Sequence, residues 1–330
     1  MAKLALSLAV TLNDRTRPLI DGTVRPEGIN LTVTVAGAGE IFWRQLHFQE
    51  FDISEMSLSE TLMLASRGER AWVMLPVFTT RHFFHTGILV RVDAGIEQPK
   101  DLRGKRVGVP EYVQTAALWT RGVLQHEFGV QPEELDWYQE RTEGLSHGGT
   151  FGFRPPRGKF QHIPAHTNIG AMLVAGELDA TLFYSGTPSL VDRSSLDLRQ
   201  HPAVRTLFPD PRAEGIRYYQ KTGIFPMNHG VVVRRSLVDK HPWVALNLYQ
   251  AFAAAKAHAA ARTQELADIY ANLGWLTPEA RTVWSTDPLP YGVKSNRQAL
   301  ETAARYSYEQ GLSPRLVALE EVFAAPTLEM

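Results

Sequence analysis

The chain has 330 residues, with 34 Lys and Arg against 35 Asp and Glu, a formal net charge of −1 and no cysteine. The charge balance argues against a nucleic-acid-tracking surface, which carries a clear basic excess, and the missing thiols exclude disulfides, thiolate nucleophiles and Cys-ligated metal centres. With 44% hydrophobic and 21% charged residues, the chain suits two α/β lobes of about 150 residues each.

In chain order, Leu4, Leu6, Leu8 and Val10 fall at every second position and predict a first strand. The same run has the look of a minimal leader core, but it stops at Asn13-Asp14-Arg15 without a small-residue cleavage site, so a cytoplasmic protein is expected. A second strand follows over 30–35, a helix over 40–49 and a strand over 52–56. Ser57-Leu58-Ser59-Glu60 has the spacing of a capping box at the next helix start. Strands are predicted over 71–78 and 85–91, then a turn at Leu102-Arg103-Gly104-Lys105, a strand over 106–109 and a helix over 114–128 stopped by Gly129. The segment 144–157 is rich in Gly, Pro and Arg without periodicity and reads as a loop or lid. A helix over 168–175 leads to a strand over 180–184, and a strand over 229–234 returns the chain to the first lobe. The remainder reads as helical: 242–261, a helix from Thr277-Pro278, 297–310 ending at Gly311, and a last one from Ser313-Pro314. Crossings near 85–92 and 227–233 predict a discontinuous first lobe, 1–90 with 230–330, around a second lobe, 91–229. No apolar run approaches the roughly 18 residues of a membrane span, and no internal repeat is seen.

The chain has no G-x-S-x-G elbow, no phosphate-binding lysine loop and no G-x-G-x-x-G after a strand. His82 and His85 have a spacing open to a metal, but without nearby carboxylates it is weak, and neither a metal nor another cofactor is assigned. Polar residues gather instead where predicted strands end: Asp14, Arg15 and Arg17; Ser57 and Ser59; Arg81, His82 and His85; Glu111, Tyr112 and Thr115. In open α/β sheets such turns line the ligand crevice, helix N-termini attract anions, and arginines take carboxylates in bidentate fashion. A cleft for a small anion is the sum. Each residue also has a plainer reading. Arg15 and Arg17 serve as surface charges, Ser57 as a helix cap, His85 as a satisfied histidine in a strand, and Glu111 as a carboxylate favoured at a helix start. His229 sits at the return crossing, His147 beside Gly148 and Gly149 reads as a solvated loop residue, and Arg81 between apolar strands is hardest to dismiss.

The run Asp14-Arg15-Thr16-Arg17-Pro18-Leu19, then Asp21-Gly22 and Pro26-Glu27-Gly28-Ile29, resembles the opening of 4,5-dihydroxyphthalate decarboxylases. Further blocks do too: Glu50-Phe51-Asp52, Glu55-Met56-Ser57-Leu58-Ser59, Pro76-Val77-Phe78 and Arg81-His82-Phe83. So do Gly104-Lys105-Arg106-Val107-Gly108-Val109-Pro110-Glu111-Tyr112, Thr222-Gly223-Ile224-Phe225-Pro226, His229 and 247–252. The blocks keep their order over nearly the whole chain. Segment 144–157 and Tyr184-Ser185-Gly186-Thr187-Pro188 depart from the pattern, and both are expected at the cleft.

The resemblance implies an α/β, two-lobed fold like that of type II periplasmic-binding proteins, with mixed sheets, helices on both faces and a ligand cleft between lobes. It implies cofactor-independent decarboxylation of a small aromatic dicarboxylate, 4,5-dihydroxyphthalate, to protocatechuate and carbon dioxide, with no nucleic-acid or membrane partner; homo-oligomerisation stays open. On that reading Arg15, Arg17 and Arg81 take the carboxylates beside Ser57 and Ser59. His85 is the first candidate proton donor, with His82 or His229 next; Glu111 accepts a phenolic proton and Tyr112 packs on the ring. Asp14, Thr115 and Tyr184 complete the expected cleft. Two alternatives share the fold: a solute-binding protein delivering an aromatic carboxylate to a transporter, and an intracellular sensor or biosynthetic enzyme.

Overall fold

The computed structural model describes residues 3–284 and 286–330. Its eleven described strands are β1 (Leu4–Val10), β2 (Ile29–Val35), β3 (Ile53–Ser57), β4 (Trp72–Arg81), β5 (Leu89–Arg91), β6 (Arg106–Val109), β7 (Asp136–Gln139), β8 (Lys159–His162), β9 (Ala180–Thr181), β10 (Val204–Thr206) and β11 (Met227–Arg234). They form two mixed sheets, ordered β2-β1-β3-β11-β4 and β10-β5-β9-β6-β7-β8. In the first, β1 runs parallel to β2 and β3 while the returning β11 is antiparallel to β3 and β4. In the second, β6 is parallel to β7 and β9, and β5 is antiparallel to β9 and β10.

Alternation in β1 produces the expected inward face, with Leu6, Leu8 and Val10 buried. Three short strands, β7, β8 and β10, have no run of apolar residues to announce them and exist by pairing with neighbours. The expected strand over 85–91 begins only at Leu89; His85 lies in a 3₁₀ turn, Phe84–Gly87. The helix after β6 starts at Thr115, so Glu111 and Tyr112 precede it rather than open it. The alanine-rich helix continues well past residue 261, covering Trp243–Asn272, because no Gly or Pro interrupts it before Gly274. Ser313-Pro314 starts no helix; the last α-helix is Leu319–Val322.

Helices cover both faces of each sheet. One continuous apolar core takes Met56, Leu58 and Phe78 from the first sheet's side and Val107, Val109 and Trp137 from the second. The helix Thr115–Phe128 is the tie between the two. The Trp119 indole N–H donates to the Met227 carbonyl on β11 at 2.8 Å. At Gly122 a Cβ would lie 2.0 Å from the Tyr306 ring, so glycine there permits the helix Arg297–Glu309 to press against it. Among the described residues, no helix is long and apolar enough to cross a membrane.

Candidate active site at the lobe junction

The parallel strands β1 and β3 end where the two sheets' elements meet, and the polar residues at the end of β3, Ser57, Ser59 and Glu60, are buried there. Glu55 of β3 is fully buried. Its carboxylate accepts from the Thr11 backbone N–H and the Thr79 hydroxyl, and His229 Nδ1 stands 3.7 Å away. Burial opposes ionisation, but the neighbouring His229 and then the Thr11 and Thr79 donors hold its pKa below the usual carboxylate range. Arg15 reaches the same spot from the turn after β1, donating to the Thr79 carbonyl. A recess of about 920 Å³ opens beside it, lined by Asp14, Arg15, Lys256 and Pro288 among others.

The second cluster begins one turn later. Ser57 does not cap the helix backbone, as the sequence spacing suggested; its hydroxyl donates to the Glu60 carboxyl instead. Ser57 Oγ is also 2.6 Å from Thr115 Oγ1, which accepts from the Ser59 backbone N–H at 2.9 Å. Glu60 Oε1 meets His147 Nδ1 at 3.0 Å. His147, expected as a solvated loop residue, is 1% exposed. Its backbone N–H donates to Glu111 at 2.8 Å, and its Nε2 lies 3.1 Å from the Gly39 carbonyl. Arg141 stands beside the imidazole and forks onto Asp192 with bonds of 2.7 and 3.0 Å. Burial, only partly offset by the Glu60 backbone N–H and the nearby Arg141 and His229, pushes Glu60 up to about 8. Burial and the Arg141 guanidinium push His147 down to about 4. Gly39 belongs to this closure: a Cβ there would lie 2.8 Å from Val191 and 2.9 Å from the Arg141 guanidinium.

Of the residues singled out from sequence, the structure brings Ser57, Ser59, Glu111, Thr115 and His229 to this junction, with Arg15 at its edge. Phe42 packs edge-on against His229 with centroids 4.8 Å apart. Others lie elsewhere. His85 pairs with Glu214 at 3.1 Å, walled by Tyr218 and Phe208, and is 1% exposed. His82 packs against Phe84, and burial lowers its pKa. Arg81 spends its guanidinium on the Phe225 and Pro290 carbonyls and on Asn296, as a strut. Tyr112 lies under Arg121 at 3.8 Å and meets Trp137 edge-on. Tyr184 donates to the Leu196 carbonyl. Asp14 and Arg17 share a surface recess with His258 and Arg262 of the long helix. Among the described residues, no three His, Asp or Glu side chains converge as metal ligands would.

Glu55, Glu60, Arg141, His147 and Asp192 were not singled out as site residues from the sequence. The Ser57-x-x-Glu60 spacing was the one available signal, and it was absorbed by the capping pattern; Arg141 and Asp192 meet across 51 residues that carry no common motif.

Two mixed sheets joined by crossing strands, with polar strand ends enclosed between them, define a two-lobed α/β protein of the type II periplasmic-binding-protein class. Solved structures agree on the fold. The aliphatic sulphonate binding protein SsuA of Escherichia coli aligns over 100% of both chains with a TM-score of 0.54 at 15% identity. The desulfurization enzyme DSZB aligns over 99% of this chain and 98% of its own with a TM-score of 0.55 at 16% identity. No protein-family model matches the chain. The 4,5-dihydroxyphthalate decarboxylase of Comamonas testosteroni is 33% identical over 333 residues, covering 100% of this chain and 99% of that one. That of Pseudomonas putida is 34% identical over 221 residues, covering 67% of this chain and 83% of its own. The chain belongs to the 4,5-dihydroxyphthalate decarboxylase family.

Proposed function

We propose that this protein removes one carboxylate of 4,5-dihydroxyphthalate as carbon dioxide and releases protocatechuate. The observation that carries this reading is the end-to-end relationship to the Comamonas testosteroni decarboxylase, with identity spread over the whole of both chains. The chemistry needs a proton at the ring carbon that bears the departing carboxylate. The hydroxyl para to that carbon pushes electrons into the ring, the carbon is protonated, and the carbon–carbon bond then breaks with its electrons returning to the ring.

Buried polar atoms with no hydrogen-bond partner among the described residues support a binding role for the junction. They include Arg15 Nε, Ser59 Oγ, Gln114 Nε2 and His229 Nδ1, and such atoms are rare in folded proteins unless a ligand or water completes them. Arg15 and His229 suit the two carboxylates; Ser59 and Gln114 suit the ring hydroxyls. On this reading His85, held by Glu214, supports the second lobe rather than the chemistry.

Incubation with 4,5-dihydroxyphthalate, with and without a chelator, should yield equal amounts of protocatechuate and carbon dioxide. Tight binding without turnover would overturn the reading in favour of a solute-binding role.

A further inference from the structure

The hydrogen bonds around Glu60 leave little freedom in where the protons sit. The Ser59 N–H donates to Thr115 Oγ1. The Ser57 hydroxyl has one proton and gives it to Glu60 Oε2, so the 2.6 Å contact between the two hydroxyls is Thr115 donating to Ser57. At the far end, His147 Nε2 is 3.1 Å from the Gly39 carbonyl, which can only accept; Nε2 therefore carries hydrogen. Arg141 Nη1 lies 3.1 Å from Nε2 and 3.4 Å from Nδ1. A donor aligned with one ring lone pair would stand far from the other nitrogen, so this near-equality puts the guanidinium over the ring face.

The 3.0 Å bond between Glu60 Oε1 and His147 Nδ1 then has two descriptions: imidazolium with carboxylate, or imidazole with carboxylic acid. A buried imidazolium against the face of a guanidinium is the costlier one, since burial and a like charge both favour the neutral ring. The groups facing Glu60 and its partner are Arg141 backed by Asp192, Glu111 at the His147 backbone, and His229. None is a cation in hydrogen-bond contact with Glu60.

We propose that Glu60 is kept as a carboxylic acid in the closed junction and is the proton store for the reaction, delivering through the Ser57 hydroxyl. This rests on the decarboxylase reading. The Ser57 hydroxyl turns from Glu60 Oε2 and gives its proton to the ring carbon, the Glu60 carboxyl rotates to place on Ser57 Oγ the proton it held toward His147 Nδ1, and carbon dioxide leaves while the bonding pair returns to the ring. Glu60 ends as a carboxylate and regains its proton from water when the junction opens. Ser57, Ser59 and Glu60 belong to the first sheet's strand β3 and the helix after it; Thr115 and His147 belong to the second sheet's connections. The chain of donors thus exists only with the lobes together.

The test uses the full-length protein. Glu60→Gln should lower kcat about 100-fold or more, the span of a positioned acid, with KM changed only a few-fold. The wild-type pH–rate profile should fall on its basic side near pH 8, and that limb should vanish from the residual rate of the variant. Independently of turnover, binding of unsubstituted phthalate in weak buffer at pH 8.5, above the value of about 8 for Glu60, should draw protons into the wild-type protein and none into Glu60→Gln. Where Glu60→Gln fails to fold, Ser57→Ala should keep the proton uptake and lose turnover. A wild-type protein that binds phthalate with uptake but never decarboxylates defeats the functional reading alone. Active wild type with an unaltered basic limb and uptake in Glu60→Gln, or full turnover in Ser57→Ala, overturns the proton store.

Discussion

Two buried histidine–glutamate pairs lie in this molecule at nearly the same separation, 3.0 Å for His147–Glu60 and 3.1 Å for His85–Glu214. Their electrostatics are opposite. Beside Glu214 sits Arg217, bonded to it at 2.7 and 2.8 Å. Burial resists a charge there, yet Arg217 and then His85 hold Glu214 down at about 2. In the other pair no arginine bonds the carboxyl: burial and then Arg141 drive His147 neutral, and burial keeps the proton on Glu60 against the pull of Arg141. Where the cation stands, rather than the pair itself, decides whether the unit is a fixed ionic brace or a loaded acid.

Moving or deleting those arginines breaks the contrast most directly. Arg141→Leu strands Asp192 and removes the charge over His147; loss of one partner of a buried pair costs about 3–5 kcal/mol. Urea unfolding should show that drop, and a change below about 1 kcal/mol would mean Arg141 does not organise the junction. A smaller effect separates the two carboxyls by pH. Glu60 has a folded pKa of about 8, raised from 4.5, so the folded state holds a proton the unfolded chain has released, and stability falls as pH rises through this window. Below 6.5 the depressed His147 works in the opposite direction. Between pH 6.5 and 8 the wild type should therefore lose up to about 1.4 kcal/mol per pH unit, and Glu60→Gln should remove this decline. An equal slope in both proteins would place the titration elsewhere. The smallest effect concerns Arg217, whose side chain is 42% exposed. Arg217→Gln should cost at most about 1 kcal/mol near neutrality. Glu214 is depressed, so its contribution is present above 4.5 and lost toward pH 2; without Arg217 that contribution is smaller and its loss is complete at higher pH, read as an upward shift of the acid-unfolding midpoint.

Much of the scaffold was legible because local rules and tertiary packing agree in it. The period-two run Leu4–Val10 and the left-handed Gly129 after Phe128 are examples. The site was legible in part. Ser57, Ser59, Thr115 and His229 could be placed at this junction because they sit at strand ends, where topology alone points. Glu60 was passed over because its spacing from Ser57 already had a local explanation in helix capping, and His147 because glycine neighbours suggested solvent. Both are buried by partners from the other sheet's connections, and no local pattern encodes that encounter. His85 is the opposite case: a histidine between apolar residues near a crossing has the local look of a cleft residue, and its partner, Glu214 on the distant helix Pro211–Thr222, leaves no local signal.

The apolar core that runs unbroken from Met56 and Phe78 to Val107 and Trp137 has a consequence for how such chains can change. Each half also keeps an apolar cluster of its own, but the interior between them belongs to both. A recombinant that joined one lobe to a foreign partner would have to match an entire apolar seam at once, including the glycine under Tyr306. Such a protein diversifies residue by residue around its junction and not by exchange of halves.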